Sequence, residues 1–211
     1  MGSVTEVPGA SQARPDGLRE RKKARTRAAL REHALRLFRE QGYQRTTVEQ
    51  IAAAAEVSPS TFFRYFPTKE DLVLQDDMDT RMIEAFDRQP PGLGPVAAVR
   101  AATREVFNTY TEADLDVIRE TSALAVTVPE VRARALDEFA RTITVIAEAL
   151  AKRAGRPADD LAVRTAAGAI IGVIMSITMP WEGWSSDRQS IEGMFERVDQ
   201  ALALLEAGLP L

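Results

Sequence analysis

The chain has 211 residues, 45% hydrophobic and 27% charged, enough apolar material for one globular unit or a small domain joined to a larger one. It has no cysteine and one histidine, which excludes a disulfide framework, a zinc–thiolate site and a thiol nucleophile. The net charge of −4 is unevenly spread: residues 1–66 carry 12 Lys+Arg against 7 Asp+Glu, a net of +5, and the remainder carries 15 against 24, a net of −9. A basic head on an acidic body is the footprint of a partner for a polyanion, although a solvated helix face has the same composition.

In chain order, residues 1–18 lack an apolar signal core and read as a disordered leader to a basic arm. Arg19 to Gln41 reads as a helix with Leu30, Ala34, Leu37 and Phe38 on its apolar face, stopped by Gly42. A second helix opens at Thr46 or Thr47, with Thr46-x-x-Glu49 as a capping box, and stops near Ala55. Ser58 caps a third, which has Pro59 in its first turn and ends at Pro67. Thr68-x-x-Asp71 caps a fourth, running to Gln89 before the breaker Pro90-Pro91-Gly92-Leu93-Gly94-Pro95. Five more helices follow: Val96–Tyr110, Asp114–Val126, one from Pro129 to Arg153 closed by Gly155, Asp160–Met179, and Ser190–Ala207. No segment reads as a strand, so the expected class is all-α, with about nine helices.

The stretch from Thr46 to Phe66 carries the chemistry. Two short helices joined at Ala55-Glu56-Val57 enclose Ile51, Ala52, Val57, Phe62 and Phe66. Pro59, Ser60, Thr61, Phe63, Arg64 and Tyr65 are left outward on the third helix. Hydroxyls there suit phosphates, a guanidinium suits a guanine edge or a phosphate, and aromatic faces suit a thymine methyl or a sugar. Such a helix presents its first turns to the major groove. Phe63 and Tyr65 could alternatively pack toward the first helix.

Residues Arg25 to Leu72 resemble the N-terminal domain of the TetR family of bacterial regulators. The matching text is Ala28-Ala-Leu-x-x-x-Ala-Leu-x-Leu-Phe-x-x-x-Gly-Tyr43, Thr47-Val-x-x-Ile-Ala-x-Ala-Ala-x-Val-Ser58 and Thr61-Phe-Phe-Arg-Tyr-Phe-Pro-Thr-Lys-Glu-Asp-Leu72. The resemblance implies a helix-turn-helix domain over 19–67 and an effector-binding and dimerisation domain over 68–211. It implies phosphate contacts from Thr47 and Lys69, and DNA-facing positions for Ser58, Ser60, Thr61, Phe63, Arg64 and Tyr65. Glu56 departs from the family, which usually has glycine in that turn. The arm with Arg21, Lys22 and Lys23 would follow the DNA backbone or enter the minor groove, as in some relatives.

The rest of the chain suggests an interface and a pocket. Gly168, Gly172 and Ser176 form a small-residue strip, and Ile191, Phe195, Val198, Leu202 and Leu205 an apolar stripe. Paired across a two-fold axis, these two helices would make a homodimer. The uncharged run Thr165–Trp181 is short for a membrane span and reads instead as a buried or interfacial helix. Candidate walls for a largely hydrophobic effector are Met82, Phe86, Phe107, Tyr110, Ile118, Met175, Met179, Trp181 and Trp184; the Trp181-x-x-Trp184 turn resembles relatives that sense acyl-CoA-like or other apolar acids, which would imply such a ligand here. No cofactor or metal is implied. The expectation is a cytoplasmic, ligand-responsive regulator, by family default a repressor, on a palindromic double-stranded operator. The alternatives are a DNA-binding regulator without a ligand and, more remotely, a helical enzyme acting on acyl substrates.

Overall fold

In the computed structural model residues 15–74, 78–179 and 191–210 are described, and every regular element among them is an α-helix. They are α1 (Pro15–Gln41), α2 (Val48–Ala54), α3 (Pro59–Tyr65), α4 (Lys69–Leu74), α5 (Met78–Arg88), α6 (Pro95–Phe107), α7 (Glu112–Thr127), α8 (Pro129–Ala154), α9 (Leu161–Thr178) and α10 (Ile191–Glu206). The all-α class is as expected. The expected fourth helix over 68–89 is described as α4 and α5, on either side of residues 75–77, which lie outside the described residues. Ten helices are therefore described where nine were anticipated. Residues 15–18, read as part of a leader, belong to α1.

The chain divides into two compact units at 72/73. The first is built on Leu30, Ala34, Phe38, Ile51, Phe62 and Phe66, all buried. Leu35, rather than Leu37, completes the buried face of α1. This unit includes residues 68–72, beyond the boundary at 67/68 read from the sequence. The start of α4 is bonded into it: Asp71 Oδ2 accepts from the Thr68 N–H and hydroxyl, both at 3.0 Å, and Leu72 is fully buried.

In the second unit α5, α6, α8, α9 and α10 share one core, with Phe86, Val99, Leu150, Ile170, Val198 and Leu202 at its centre. Alanines at 85, 98, 102 and 167 have no exposed surface, which is how neighbouring helices approach closely. The breaker after α5 is pinned by Arg153 in the last turn of α8. Its guanidinium lies over the Phe86 ring and donates to the carbonyls of Gln89, Pro90 and Leu93. α8 ends as expected at Gly155, in the left-handed conformation that a residue without Cβ adopts freely.

A charged clasp joins α6 to α10. Arg100 grips Asp199 with two N–H groups, at 3.0 and 3.1 Å, and donates a third to Glu206 at 2.7 Å. Arg104 adds a bond to Asp199 at 3.2 Å. Hydrogen bonds from Arg100, opposed by partial burial and helped by the charges of both arginines, hold the Asp199 carboxyl below its usual range. A carboxylate depressed on folding stabilises the fold above its ordinary pKa of about 4, and that contribution is lost as pH falls through the lower folded value. Asp199→Asn should therefore lower unfolding free energy at pH 7 by about 1 kcal/mol. The gap between wild type and variant should close on acidification below about pH 4. Urea unfolding across pH 2.5–7 checks this, and a gap independent of pH would count against the clasp.

Candidate nucleic-acid interface

Thr46 and Thr47 both stand three residues before a side chain able to complete a capping box, and the structure selects Thr47. Its Oγ1 accepts the Gln50 N–H at 3.3 Å, and Gln50 Oε1 accepts the Thr47 N–H at 2.9 Å. The box expected at Thr46-x-x-Glu49 is corrected accordingly. Thr46 is buried, donates its hydroxyl to Gly42 O at 2.9 Å and accepts from Gln41 Nε2 at 3.1 Å. Closing the turn after α1 occupies the hydroxyl that would have capped α2.

After α2 the Glu56 N–H bonds Ala53 O at 3.1 Å and the Val57 N–H bonds Ala52 O at 2.9 Å. These are the paired bonds of a Schellman turn, whose pivot is usually glycine in the left-handed region. Here the pivot is Glu56 at φ +54°. Its Cβ makes that conformation unfavourable by about 1 kcal/mol.

Ser58 then caps α3, its Oγ accepting from the Thr61 N–H at 3.1 Å and lying 3.0 Å from Thr61 Oγ1. Pro59 occupies the first turn, where a missing N–H has no consequence. Phe62 and Phe66 have no exposed surface and anchor the helix inward, with ring centroids 5.8 Å apart. Pro59, Ser60, Phe63 and Arg64 therefore form its exposed face, while Thr61 and Tyr65 are half-buried at its flanks. Arg64 lies over the Tyr65 ring.

Thr47 and Ser58 are exposed, as are Arg21, Lys22 and Lys23 on α1. The basic arm is thus helical where it is described. Lys69 stands differently: its ammonium donates to Tyr43 O at 2.9 Å and Thr46 O at 3.0 Å, and sits 3.9 Å from the Tyr43 ring centroid. The Tyr43 hydroxyl donates to Glu70 Oε1 at 2.5 Å. Burial raises the Glu70 pKa, but hydrogen bonds from Tyr43, its own backbone N–H and Thr68, with the charge of Lys69, outweigh it and leave the carboxyl below its usual range. Tyr43, Glu70 and Gln50 were not singled out in the sequence. Only Gln50 carried a signal, its three-residue spacing from Thr47. Neither partner in the Tyr43–Glu70 bond marks the other across 27 positions.

The candidate effector and dimer residues partly intermingle, meeting where Phe107 and Tyr110 pack on Phe195. Phe86 is in the core of the second unit, with Met82 and Tyr110 packed against it. Phe107 stacks on Phe195 at 4.3 Å, and Tyr110 completes the aromatic group. Ile118 and Met179 are half-buried and Met175 is exposed, while Trp181 and Trp184 lie outside the described residues. A groove of about 590 Å³ opens elsewhere, lined by Arg156, Asp160, Leu161, Ala162, Thr165, Ala166 and Ala169. Of the stripe read as an interface on α10, Ile191, Val198 and Leu202 are buried within their own chain, Phe195 turns to Phe107, and Leu205 packs on the core. Phe195 and Leu205 remain half-buried. Gly172 and Ser176 remain exposed on α9, with Gly168 half-exposed.

Comparison with known proteins bears on both units. Residues 30–75 match the family model of bacterial regulatory proteins, tetR family, and residues 93–210 match that of the MftR C-terminal domain. The chain is 44% identical over 102 residues to the HTH-type transcriptional regulator TcmR of Streptomyces glaucescens, covering 47% of this chain but only 45% of TcmR. It is 28% identical over 192 residues to MftR of Mycobacterium tuberculosis, named as a mycofactocin biosynthesis transcriptional regulator, covering 90% of this chain and 93% of MftR. Among solved structures it is similar to Thermus thermophilus FadR, a TetR family transcriptional repressor in complex with lauroyl-CoA. That match has 26% identity and a TM-score of 0.54, and covers 88% of this chain and 95% of the other.

The strained turn gives a direct test of the local geometry. Glu56→Gly should raise unfolding free energy by about 0.5–1 kcal/mol, whereas Glu56→Ala, which keeps the Cβ, should not stabilise. Urea unfolding of the two variants distinguishes backbone strain from any role of the carboxylate. A glycine variant no more stable than wild type would contradict the assignment.

Proposed function

The chain belongs to the TetR family of bacterial transcriptional regulators, and from that premise we propose that it represses transcription by binding a palindromic operator as a homodimer, released by a small, largely hydrophobic effector. The observation that carries DNA reading is the exposed face of α3, with Ser60, Phe63 and Arg64 held outward by the buried Phe62 and Phe66. A seven-residue helix with that display, capped by a polar turn, suits entry of its first turns into a major groove. Thr47, Ser58, Pro59, Thr61 and Tyr65 flank it as phosphate and sugar contacts. Lys69 serves the same surface by fixing the turn between α1 and α2 through its two carbonyl bonds. The protein is a regulator and not an enzyme, acting where the chromosome lies, in the cytoplasm.

Dimerisation is assigned to the second unit. α9 is long and apolar enough to cross a membrane, yet packs one face on α8 and α10. Its outer face offers Leu161, Gly172, Met175 and Ser176. Small residues on an apolar helix permit close approach of a second copy, and α10 adds the exposed Leu204. The likeness to a repressor solved with lauroyl-CoA supports an acyl-CoA-like or other apolar acid as effector. The half-buried Phe107, Tyr110 and Ile118 are the side chains offered to it.

Selection of bound sequences from a random DNA pool tests the reading. The expected result is an inverted repeat with half-sites about one helical turn or more apart. Binding without sequence preference would refute it. Replacing Arg21, Lys22 and Lys23 together with Ala should flatten the plot of log affinity against log salt by about 0.9 for each phosphate contact removed. An unchanged slope would mean that the arm does not touch phosphate.

A further inference from the structure

The exposed face of α3 is unusual in what stands at its middle. Phe63 is 51% exposed, among the most exposed large apolar side chains described in the first unit, with Pro59 and Ser60 one turn before it and Arg64 beside it. A ring without donor or acceptor gains nothing from a phosphate. It gains only by covering apolar surface. The ring meets the fully buried Phe62 edge-on, with centroids 5.4 Å apart and planes at 84°. The hydroxyls of Ser58 and Thr61 already bond each other and the Thr61 N–H as the cap of α3, which leaves Ser60, Phe63 and Arg64 on the exposed face, and of these only Phe63 is apolar.

In the major groove the one apolar group on a base edge is the 5-methyl of thymine; the other apolar surface within reach belongs to deoxyribose along the groove wall. We propose that Phe63 is a specificity-determining residue, reading a thymine 5-methyl group in each half-site. The inference rests on the reading of α3 as the DNA-facing helix given above. It adds that one base position per half-site is recognised by apolar contact and not by hydrogen bonding.

Deoxyuridine differs from thymidine only by the lost methyl, so it separates this contact from a sugar contact without altering the protein. Using the full chain, the sequence selected from a random pool is synthesised with each thymine in turn replaced by uracil at both symmetric positions, and affinity is measured by fluorescence anisotropy. One symmetric pair should weaken binding about fourfold per half-site, about fifteenfold together, the loss expected for uncovering one methyl group at each. Phe63→Ala should bind the thymine and uracil forms of that pair equally, and Phe63→Leu should retain part of the preference. Thermal unfolding of both variants reports whether the fold is kept. A selected motif in which no uracil substitution changes affinity by more than twofold, or that contains no thymine, overturns the inference and leaves the DNA reading intact. So does a Phe63→Ala variant that keeps the full thymine preference, or one that weakens every sequence equally, as loss of a sugar contact would. A pool that yields no enriched motif overturns the DNA reading and the inference with it.

Discussion

The burial of Phe62 and Phe66 is the constraint on which the reading surface depends. A helix of seven residues is far below the length at which an isolated helix holds in water, so α3 exists only as packed against its neighbours. Two phenylalanines four residues apart, both without exposed surface, fix its rotation about its own axis. Once they point inward, helical geometry leaves positions 59, 60, 63 and 64 outward. The caps act on the same helix from its ends: the Ser58 side chain accepts the first backbone bond, and Pro67 follows the C-cap Phe66. What α3 exposes is thus decided by side chains that are themselves fully buried.

A second layer holds α1, α2 and α4 in register. Gly42 at φ +85° ends α1, and carbonyls left unpaired beyond a helix end need donors. Lys69 adds donors at Tyr43, whose carbonyl also accepts the Thr46 N–H, and at Thr46, from a helix more than twenty positions away. The ammonium over the Tyr43 ring, and the Tyr43 hydroxyl on Glu70, join three elements through two residues of α4. This gives a basic side chain near the interface a structural task besides any electrostatic one. A cation held by two carbonyls keeps its long-range attraction for phosphate, but its reach is limited by the bonds it makes.

Much of this was legible in the sequence, and the omissions follow a physical pattern. Caps and breakers are local, so Gly42, Ser58, Pro59, the Thr68–Asp71 pair and Gly155 could be placed from spacing alone. Thr46 and Thr47 could not be separated, because both satisfy the same three-residue rule and the choice depends on which hydroxyl the end of α1 captures. The left-handed turn at Glu56 was visible as a departure from glycine, and the structure has the positive φ there. Contacts between distant positions left no trace: Tyr43 with Glu70, Phe107 with Phe195 and Arg100 with Asp199 are each invisible to periodicity.

The last helix shows where periodicity reaches its limit. A stripe at steps of three and four states that one face of α10 is buried, but not against what. That stripe was read as a face for a second subunit; within the single chain it supplies Val198 and Leu202 to the core. α9 carries the complementary information. It is apolar around most of its circumference, yet Val163, Ala167, Ile170 and Ile171 satisfy only one side of it. A helix that needed only to cover its own core could be polar on the other side, as α10 is at Glu196 and Gln200. The apolar character retained on the outer face of α9 is therefore surplus to the single chain. In water such a surface favours association.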